Sequence, residues 1–138
     1  MMDTVFSEGQ TFKVLRTVTE EIYRAFVICS EDVNPLHSDD GYAKRLGYPG
    51  KLMHGALLNA FISGFIGTNL PTSDTMCLSQ KLNFKHPFFL NDVVELYATV
   101  DSVQGAPQPD KWIVSFMMLF RVNNRTIATG KVEALIGI

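Results

Sequence analysis

The chain has 138 residues, of which 46% are hydrophobic and 19% charged, and its formal net charge is −2. A chain of this length can bury a core of its own, so we expect a single domain over residues 1–138. It has no long basic run and is weakly acidic, which argues against nucleic acid as a partner.

The N-terminal segment, residues 1–10, lacks the basic and then apolar pattern of a signal peptide. The longest apolar stretch, residues 56–66, is far shorter than the ~20 residues that a membrane-spanning helix needs. Two isolated cysteines, Cys29 and Cys77, lie among apolar residues and predict buried, reduced thiols. We therefore expect a cytoplasmic protein without a membrane partner.

The first elements in chain order are a strand and a helix. Residues 9–18 alternate apolar and polar side chains, which predicts a short strand. Thr19 is a predicted N-cap because two glutamates follow it in the first turn, where they favour the helix dipole. Apolar residues at helical spacing extend this predicted helix to residue 29.

A loop and a second helix are predicted next. Residues 30–37 predict a loop, since Asn34-Pro35 is a turn signal that stops helix continuation. Ser38 can cap a short helix through about Leu46.

Residues 54–68 contain no charge, and apolar side chains occupy almost every side of the helix that they predict. Such a helix is expected to be buried on all sides. Its three glycines, at positions 55, 64 and 67, each cost about 1 kcal/mol of helix stability relative to alanine. We therefore expect a surrounding sheet to approach the helix backbone closely.

The second half of the chain has a period of two, which predicts strands at residues 75–86, 93–104, 111–122 and 125–137. We expect consecutive antiparallel strands, joined at Asn91-Asp92, at residues 105–110 and at the tight turn Asn123-Asn124.

With the N-terminal strand, the pattern gives an α+β protein in which a curled antiparallel five-stranded sheet wraps around a long central helix. Such a sheet leaves free edges, and a symmetric dimer joined edge to edge would cover them.

Asp32 and His37 are the candidate acid–base pair. The intervening turn folds the chain back, so both side chains can point into one cavity, where a carboxylate would hold the imidazole in orientation. The alternative is that Asp32 only caps the turn and His37 lies on the surface.

Two other histidines offer weaker signals. His54 stands at the start of the predicted central helix, where a capping or packing role is expected. The next residue, Gly55, has a backbone N–H at the positive end of the helix and could bind a carbonyl oxygen that gains negative charge. His86 is expected to be solvated at a strand end.

Three segments carry a family resemblance. The string Ser-Glu-Asp-Val-Asn-Pro-Leu-His at residues 30–37, with Ala43 six residues later, resembles the signature of the (R)-specific enoyl-CoA hydratases, the MaoC-like dehydratases. Residues 51–57 resemble the start of their central helix, and residues 80–84 resemble the strand that follows. The similarity covers nearly the whole chain in the same order.

The resemblance implies a hot-dog fold and a homodimer or higher homo-oligomer. It implies a hydro-lyase that hydrates a trans-2-enoyl thioester of CoA or acyl carrier protein to the (R)-3-hydroxyacyl thioester and catalyses the reverse dehydration. Asp32 and His37 would be catalytic, the Gly55 N–H would be the oxyanion donor, and Asn34 and Ser63 would support them. The resemblance implies no metal and no cofactor beyond the thioester carrier.

The chain departs from the family pattern at two positions. Glu31 occupies a position that is often glycine, and we expect its side chain to face solvent. Asn91-Asp92 replaces the commoner Gly-Asp turn, and asparagine can adopt the same positive φ.

Three alternatives remain open: a hot-dog thioesterase, a non-catalytic module that binds acyl thioesters, and a purely structural dimer. A thioesterase needs a carboxylate near or on the central helix, whereas residues 54–68 contain none. Asp32 and His37 together argue against the other two.

For recognition of the acyl chain and of the thioester carrier, the sequence offers only candidate residues. The far end of an acyl tunnel could be closed by any of four apolar residues: Phe61, Ile62, Phe65 and Leu78. Lys51, Lys81 and Lys85 are candidate phosphate contacts, or ordinary surface lysines.

Overall fold

The computed structural model describes residues 5–137, so positions 1–4 and 138 of the predicted domain lie outside the described residues. In chain order the elements are β1 (Thr11–Thr17), α1 (Glu20–Ser30), α2 (Pro35–Ser38), α3 (Asp40–Arg45), α4 (Leu57–Gly64), a π-helical turn (Phe65–Asn69), β2 (Thr75–Phe84), β3 (Val93–Gly105), β4 (Lys111–Val122) and β5 (Arg125–Gly137). Five antiparallel strands form one curled, open sheet, which confirms the α+β prediction.

The strand order is β1-β3-β4-β5-β2, so β2 pairs with β5 at one edge and β1 lies at the other. The prediction that β2 and β3 are joined as neighbours is wrong. The amides of Lys85 and His86 still donate to Ile127 O of β5, at 2.7 and 3.2 Å. After Pro87 the chain crosses to β1, where Asn91 N donates to Val18 O at 2.7 Å.

The core lies between the inner face of the sheet and α4. Alternate residues of β3, β4 and β5 point inward and are fully buried, among them Leu96, Phe116 and Val132. The ring of Phe65 meets that of Phe116 edge-on, with centroids 5.5 Å apart. Burial of these side chains, worth about 1.5–3 kcal/mol each, attaches the helix to the sheet.

The central helix starts at Leu57, three residues later than predicted, and the prediction that it is buried on all sides is wrong. Ala56, Ala60, Ser63 and Gly67 form an exposed stripe along it. A five-stranded sheet covers one side of a helix about 10 Å across, and nothing within residues 5–137 covers the exposed stripe on the other side.

The predicted close approach of the sheet occurs at only one of the three glycines. A Cβ on Gly55 would lie 3.1 Å from the ring of Phe84 in β2. At Gly64 the nearest outside atom is the Arg16 guanidinium, 3.9 Å away, and at Gly67 there is none within 4 Å. These two glycines therefore lie on the open side of the helix.

The two predicted asparagine turns have the expected positive φ values. Asn91 has φ 69°, and Asn123 and Asn124 have φ 49° and 63°. Asp92 Oδ2 also accepts a hydrogen bond from Phe89 N at 2.8 Å, which closes the turn before β3. Asparagine tolerates this left-handed backbone better than most residues.

The cysteine prediction is wrong for Cys29, which is exposed near the end of α1, while Cys77 is half-buried. Helix α1 turns Tyr23 and Phe26 toward the interior, which leaves Cys29 on its outer side. Among the described residues, no helix has both the length and the apolar character needed to cross a membrane.

Gly130 in β5 provides a stability test of the β2–β5 pairing. A Cβ at this position would overlap the Lys81 carbonyl oxygen and lie 2.6 Å from Leu82 Cδ2. We expect Gly130→Ala to lower the free energy of unfolding by about 1–3 kcal/mol, because a backbone must shift to admit the methyl group. Urea denaturation measures the change.

Gly105→Ala is the matched control, because a Cβ at Gly105 meets nothing within 4 Å. It should change the free energy of unfolding by no more than about 0.5 kcal/mol. Equal stabilities for the two variants would contradict the β2–β5 register.

Candidate active site

The site begins where α1 ends. Glu31 has φ 57°, and its N–H donates to Val27 O. This left-handed conformation favours glycine. It explains why glycine is common at the position of Glu31 in the family that the sequence resembles. The Glu31 side chain is exposed, as expected.

A hydrogen-bonded turn then holds Asp32. Its amide donates to Ser30 Oγ, and its Oδ1 accepts from the Asn34 amide, both at 3.2 Å. The Asn34 side chain was expected to orient the Asp32 loop, but it caps α2 instead: its Oδ1 accepts from Leu36 N at 2.9 Å. The backbone of Asn34 therefore holds Asp32, and its side chain starts the helical turn that carries His37.

The prediction of a loop up to His37 is wrong over residues 35–38, which form α2. Pro35 is at the first helical position, where its missing N–H costs nothing. The predicted cap at Ser38 is also wrong, since Asp39 caps α3 by accepting from Tyr42 N at 3.1 Å. Ser38 Oγ instead contacts the Asn34 carbonyl at 3.1 Å.

Asp32 and His37 come together. His37 Nε2 lies 3.9 Å from Asp32 Oδ2. His37 Nδ1 lies 2.9 Å from Leu52 O, and since a carbonyl only accepts, Nδ1 carries the proton. The neutral ring therefore has its lone pair on Nε2, beside the carboxylate.

His54 joins this pair, which sequence reasoning missed by assigning it only a capping or packing role. Its Nε2 lies 3.0 Å from the Asp32 carbonyl oxygen and 3.9 Å from Asp32 Oδ2. Its ring stacks on that of His37, with centroids 4.1 Å apart. The available signal was a histidine directly before the glycine that starts an uncharged helix.

A cavity of about 380 Å³ opens beside these residues. Its lining includes His37, Gly55, Ala56 and Phe84, but Asp32 is not part of the wall. The amides of Gly55 and Ala56 have no hydrogen-bond acceptor within the described chain. Two free N–H groups at the positive end of α4 thus adjoin the cavity that His37 lines.

The supporting residue Ser63 lies elsewhere. It is on the exposed stripe of α4, about two helical turns after Ala56, and makes no hydrogen bond to Asp32 or His37 within residues 5–137. The remaining histidine, His86, is exposed as expected, and its Nδ1 accepts from the Arg125 guanidinium at 2.8 Å.

The candidate tunnel residues also lie away from the cavity. Phe61, Ile62 and Phe65 are buried in the core, and Leu78 is exposed on the edge strand. The apolar wall is instead formed by seven other side chains: Leu52, Met53, Ala56, Leu58, Phe84, Pro87 and Phe88.

The three candidate phosphate contacts differ in their surroundings. Lys85 lines the cavity, Lys51 lies over the ring of Tyr23 at 4.4 Å, and Lys81 is on the outer face of β2. Lys85 is thus the one of these three that borders the cavity.

Asp32, His37 and His54 also form a cluster of the kind that binds metals, since their ligand atoms lie within 4.8 Å of one another. The arrangement fits hydrogen bonding better than coordination. His54 Nε2 donates to a carbonyl, so this nitrogen has no lone pair to offer a metal ion. The two imidazole planes differ by only 28°, so their in-plane lone pairs run side by side instead of converging on one ion.

The fold matches that of one class of proteins, the hot-dog hydratases. The family model of the MaoC like domain matches residues 4–115. An (R)-specific enoyl-CoA hydratase of Rhodospirillum rubrum is 30% identical over 129 residues, which is 94% of this chain and 87% of that protein. An (R)-specific enoyl-CoA hydratase of Aeromonas caviae is 38% identical over 96 residues, covering 70% of this chain and 72% of that protein.

The solved structure of the (R)-hydratase from A. caviae superimposes with a TM-score of 0.84 at 28% identity, covering 96% of this chain and 98% of that one. The chain therefore belongs to the MaoC-like domain family. The family resemblance and the hot-dog fold that it implied are both confirmed.

The Asn34 cap can be tested by stability. We expect Asn34→Ala to lower the free energy of unfolding by about 1 kcal/mol, because α2 loses the acceptor for its Leu36 amide. Asn34→Asp keeps a cap oxygen and should retain most of the stability. Thermal denaturation compares the two, and an alanine variant as stable as the aspartate variant would contradict the capping role.

Proposed function

We propose that this chain catalyses the reversible hydration of a trans-2-enoyl-CoA, or of another enoyl thioester, to the (R)-3-hydroxyacyl thioester. The observation that carries the proposal is the Asp32–His37 pair, with Oδ2 and Nε2 3.9 Å apart, beside a cavity that the free Gly55 amide adjoins. The hydratase relatives support the same reaction and the hydro-lyase class.

The chemistry assigns a task to each group. As the oxygen of water bonds to C3, His37 Nε2 takes one proton from it, while Leu52 O holds the ring at Nδ1 and the nearby Asp32 carboxylate stabilises the charge that the ring gains. The C2–C3 electron pair shifts toward the thioester carbonyl, whose oxygen becomes an enolate at the Gly55 N–H. C2 then takes a proton delivered through the same pair, so water has added across the double bond.

The arrangement favours hydration over thioester hydrolysis. A hot-dog thioesterase needs a carboxylate near or on the central helix to direct water at the thioester carbon, and α4 carries no acidic residue. Every proton that hydration moves has a side chain to move it, so we propose that the thioester carrier is the only group required besides water.

Two substitutions test the pair. We expect Asp32→Asn and His37→Ala each to lower kcat by about 10²-fold or more with crotonyl-CoA, because each removes a general acid–base group. Loss of the enoyl absorbance measures hydration, and a thiol reagent measures release of free CoA.

Glu31→Gln is the control, since Glu31 is the neighbouring exposed acid. It should keep kcat near the wild-type value. Full activity in both Asp32→Asn and His37→Ala would refute the site, and CoA release without hydration would instead favour a thioesterase.

We further propose that the protein is a homodimer joined through β2. This edge strand carries three exposed apolar side chains, Met76, Leu78 and Phe84, and in the described part of the chain one side of it has no strand partner. The exposed stripe of α4 faces away from the sheet of its own chain, so a second copy would have an apolar surface to cover.

Leu78→Lys tests the dimer. A lysine at the edge should repel its symmetry mate and shift the molecular mass measured by light scattering toward the monomer. Leu46→Lys, at a comparably exposed leucine directly after α3, should leave the mass unchanged. A wild-type protein that stays monomeric at high concentration would contradict the proposal.

We also propose a single domain over residues 1–138 and a cytoplasmic location. The free exposed thiol of Cys29 supports this location, because exposed thiols persist in a reducing compartment.

A further inference from the structure

We propose that His54 is a positioning residue that fixes the Asp32 carboxylate relative to the Gly55 amide. This inference rests on the hydratase function proposed above. The side chain of His54 is 3% exposed, and it is one of two buried polar side chains within the described residues. A buried imidazole needs a defined partner, so its contacts report what it holds in place.

The first contact holds the Asp32 peptide. The N–H of His54 Nε2 donates to the Asp32 carbonyl oxygen at 3.0 Å. Asp32 lies in an exposed turn whose other hydrogen bonds come from the local residues Ser30 and Asn34. His54 therefore makes the long-range hydrogen bond that attaches this turn to the rest of the site.

The second contact holds the start of α4. The carbonyl oxygen of His54 accepts from Leu57 N at 3.0 Å, and the same peptide group carries the Gly55 N–H. One residue thus connects the loop that carries the carboxylate to the peptide that carries the oxyanion donor. Because both groups would act on the same substrate, a shift of about 1 Å between them could cost about 10²-fold in rate.

The ring of His54 has a separate packing role. It lies between the rings of His37, at 4.1 Å, and Phe26, at 4.8 Å, with Tyr23 at 5.9 Å. A phenylalanine could fill this space, but it has no N–H for the Asp32 carbonyl. The packing and the hydrogen bond can therefore be separated by substitution.

The test uses a matched pair, His54→Gln and His54→Met. The two side chains have similar length, but only glutamine can place an N–H at the position of Nε2. We expect His54→Gln to keep kcat within about threefold of the wild type, and His54→Met to lose about 10- to 100-fold in kcat with KM changed less than about threefold. His54→Phe, a second variant without a donor, should behave like methionine while keeping the stacked ring.

The kcat and KM values are measured with crotonyl-CoA as the substrate. Melting temperatures of all three variants show which of them are folded. Equal kcat values for His54→Gln and His54→Met, or a wild-type kcat in His54→Phe, would overturn the proposal. So would a loss that lies entirely in KM. If the wild-type protein hydrates no enoyl thioester, the proposed function fails instead, and full activity in both Asp32→Asn and His37→Ala would refute the proposed site.

A measurement on the unaltered protein gives an independent check. Nitrogen-15 NMR of the imidazoles should find His54 protonated at Nε2, as its contact with a carbonyl requires. A neutral His54 with its proton on Nδ1 would overturn the proposal, whatever the variants do.

Discussion

The site depends on the extended segment Leu52–Met53, which joins the helical half of the chain to the sheet. Leu52 N donates to Leu36 O, and Leu52 O accepts from His37 Nδ1, so this residue holds α2 on two sides. Met53 N donates to Phe88 O in the crossing segment after β2. Leu52 and Met53 make these bonds with backbone groups, so the position of His37 depends little on the side chains of this segment. The next residues are His54 and Gly55, and the site therefore grows outward from this segment.

The strands, the turns and the acid–base pair could be predicted from the sequence because each has a local cause. Alternation predicted β3, β4 and β5, and the asparagines predicted turns, where the structure has positive φ values. The order of strands could not be predicted in this way. Lys85 and His86 stay bonded to β5 while Asn91 bonds to the end of β1, and both are long-range choices that no local pattern records.

The site residues divide in the same way between local and long-range causes. Asp32 and His37 are five residues apart, so their approach through a turn could be inferred from the intervening Asn-Pro. The place of His54 depends on a contact across 22 residues, which requires the fold. Its burial also could not be read locally, because a histidine before a helix is as consistent with an exposed cap as with a stacked ring. Ser63 was inferred from family resemblance, and in the isolated chain it faces the open side of α4.

The prediction that the central helix is buried on all sides is wrong for a physical reason. An uncharged helix was expected to be enclosed, yet Ala56, Ala60, Ser63 and Gly67 are exposed in this chain. The same face borders the edge strand whose residue Phe84 lies against Gly55 and forms part of the cavity wall. A surface of small uncharged residues costs little to expose, but it lets another backbone approach closely. If a second copy covers it, the absence of charge follows from the assembly, and the mouth of the cavity at Phe84 would then be shaped by both chains.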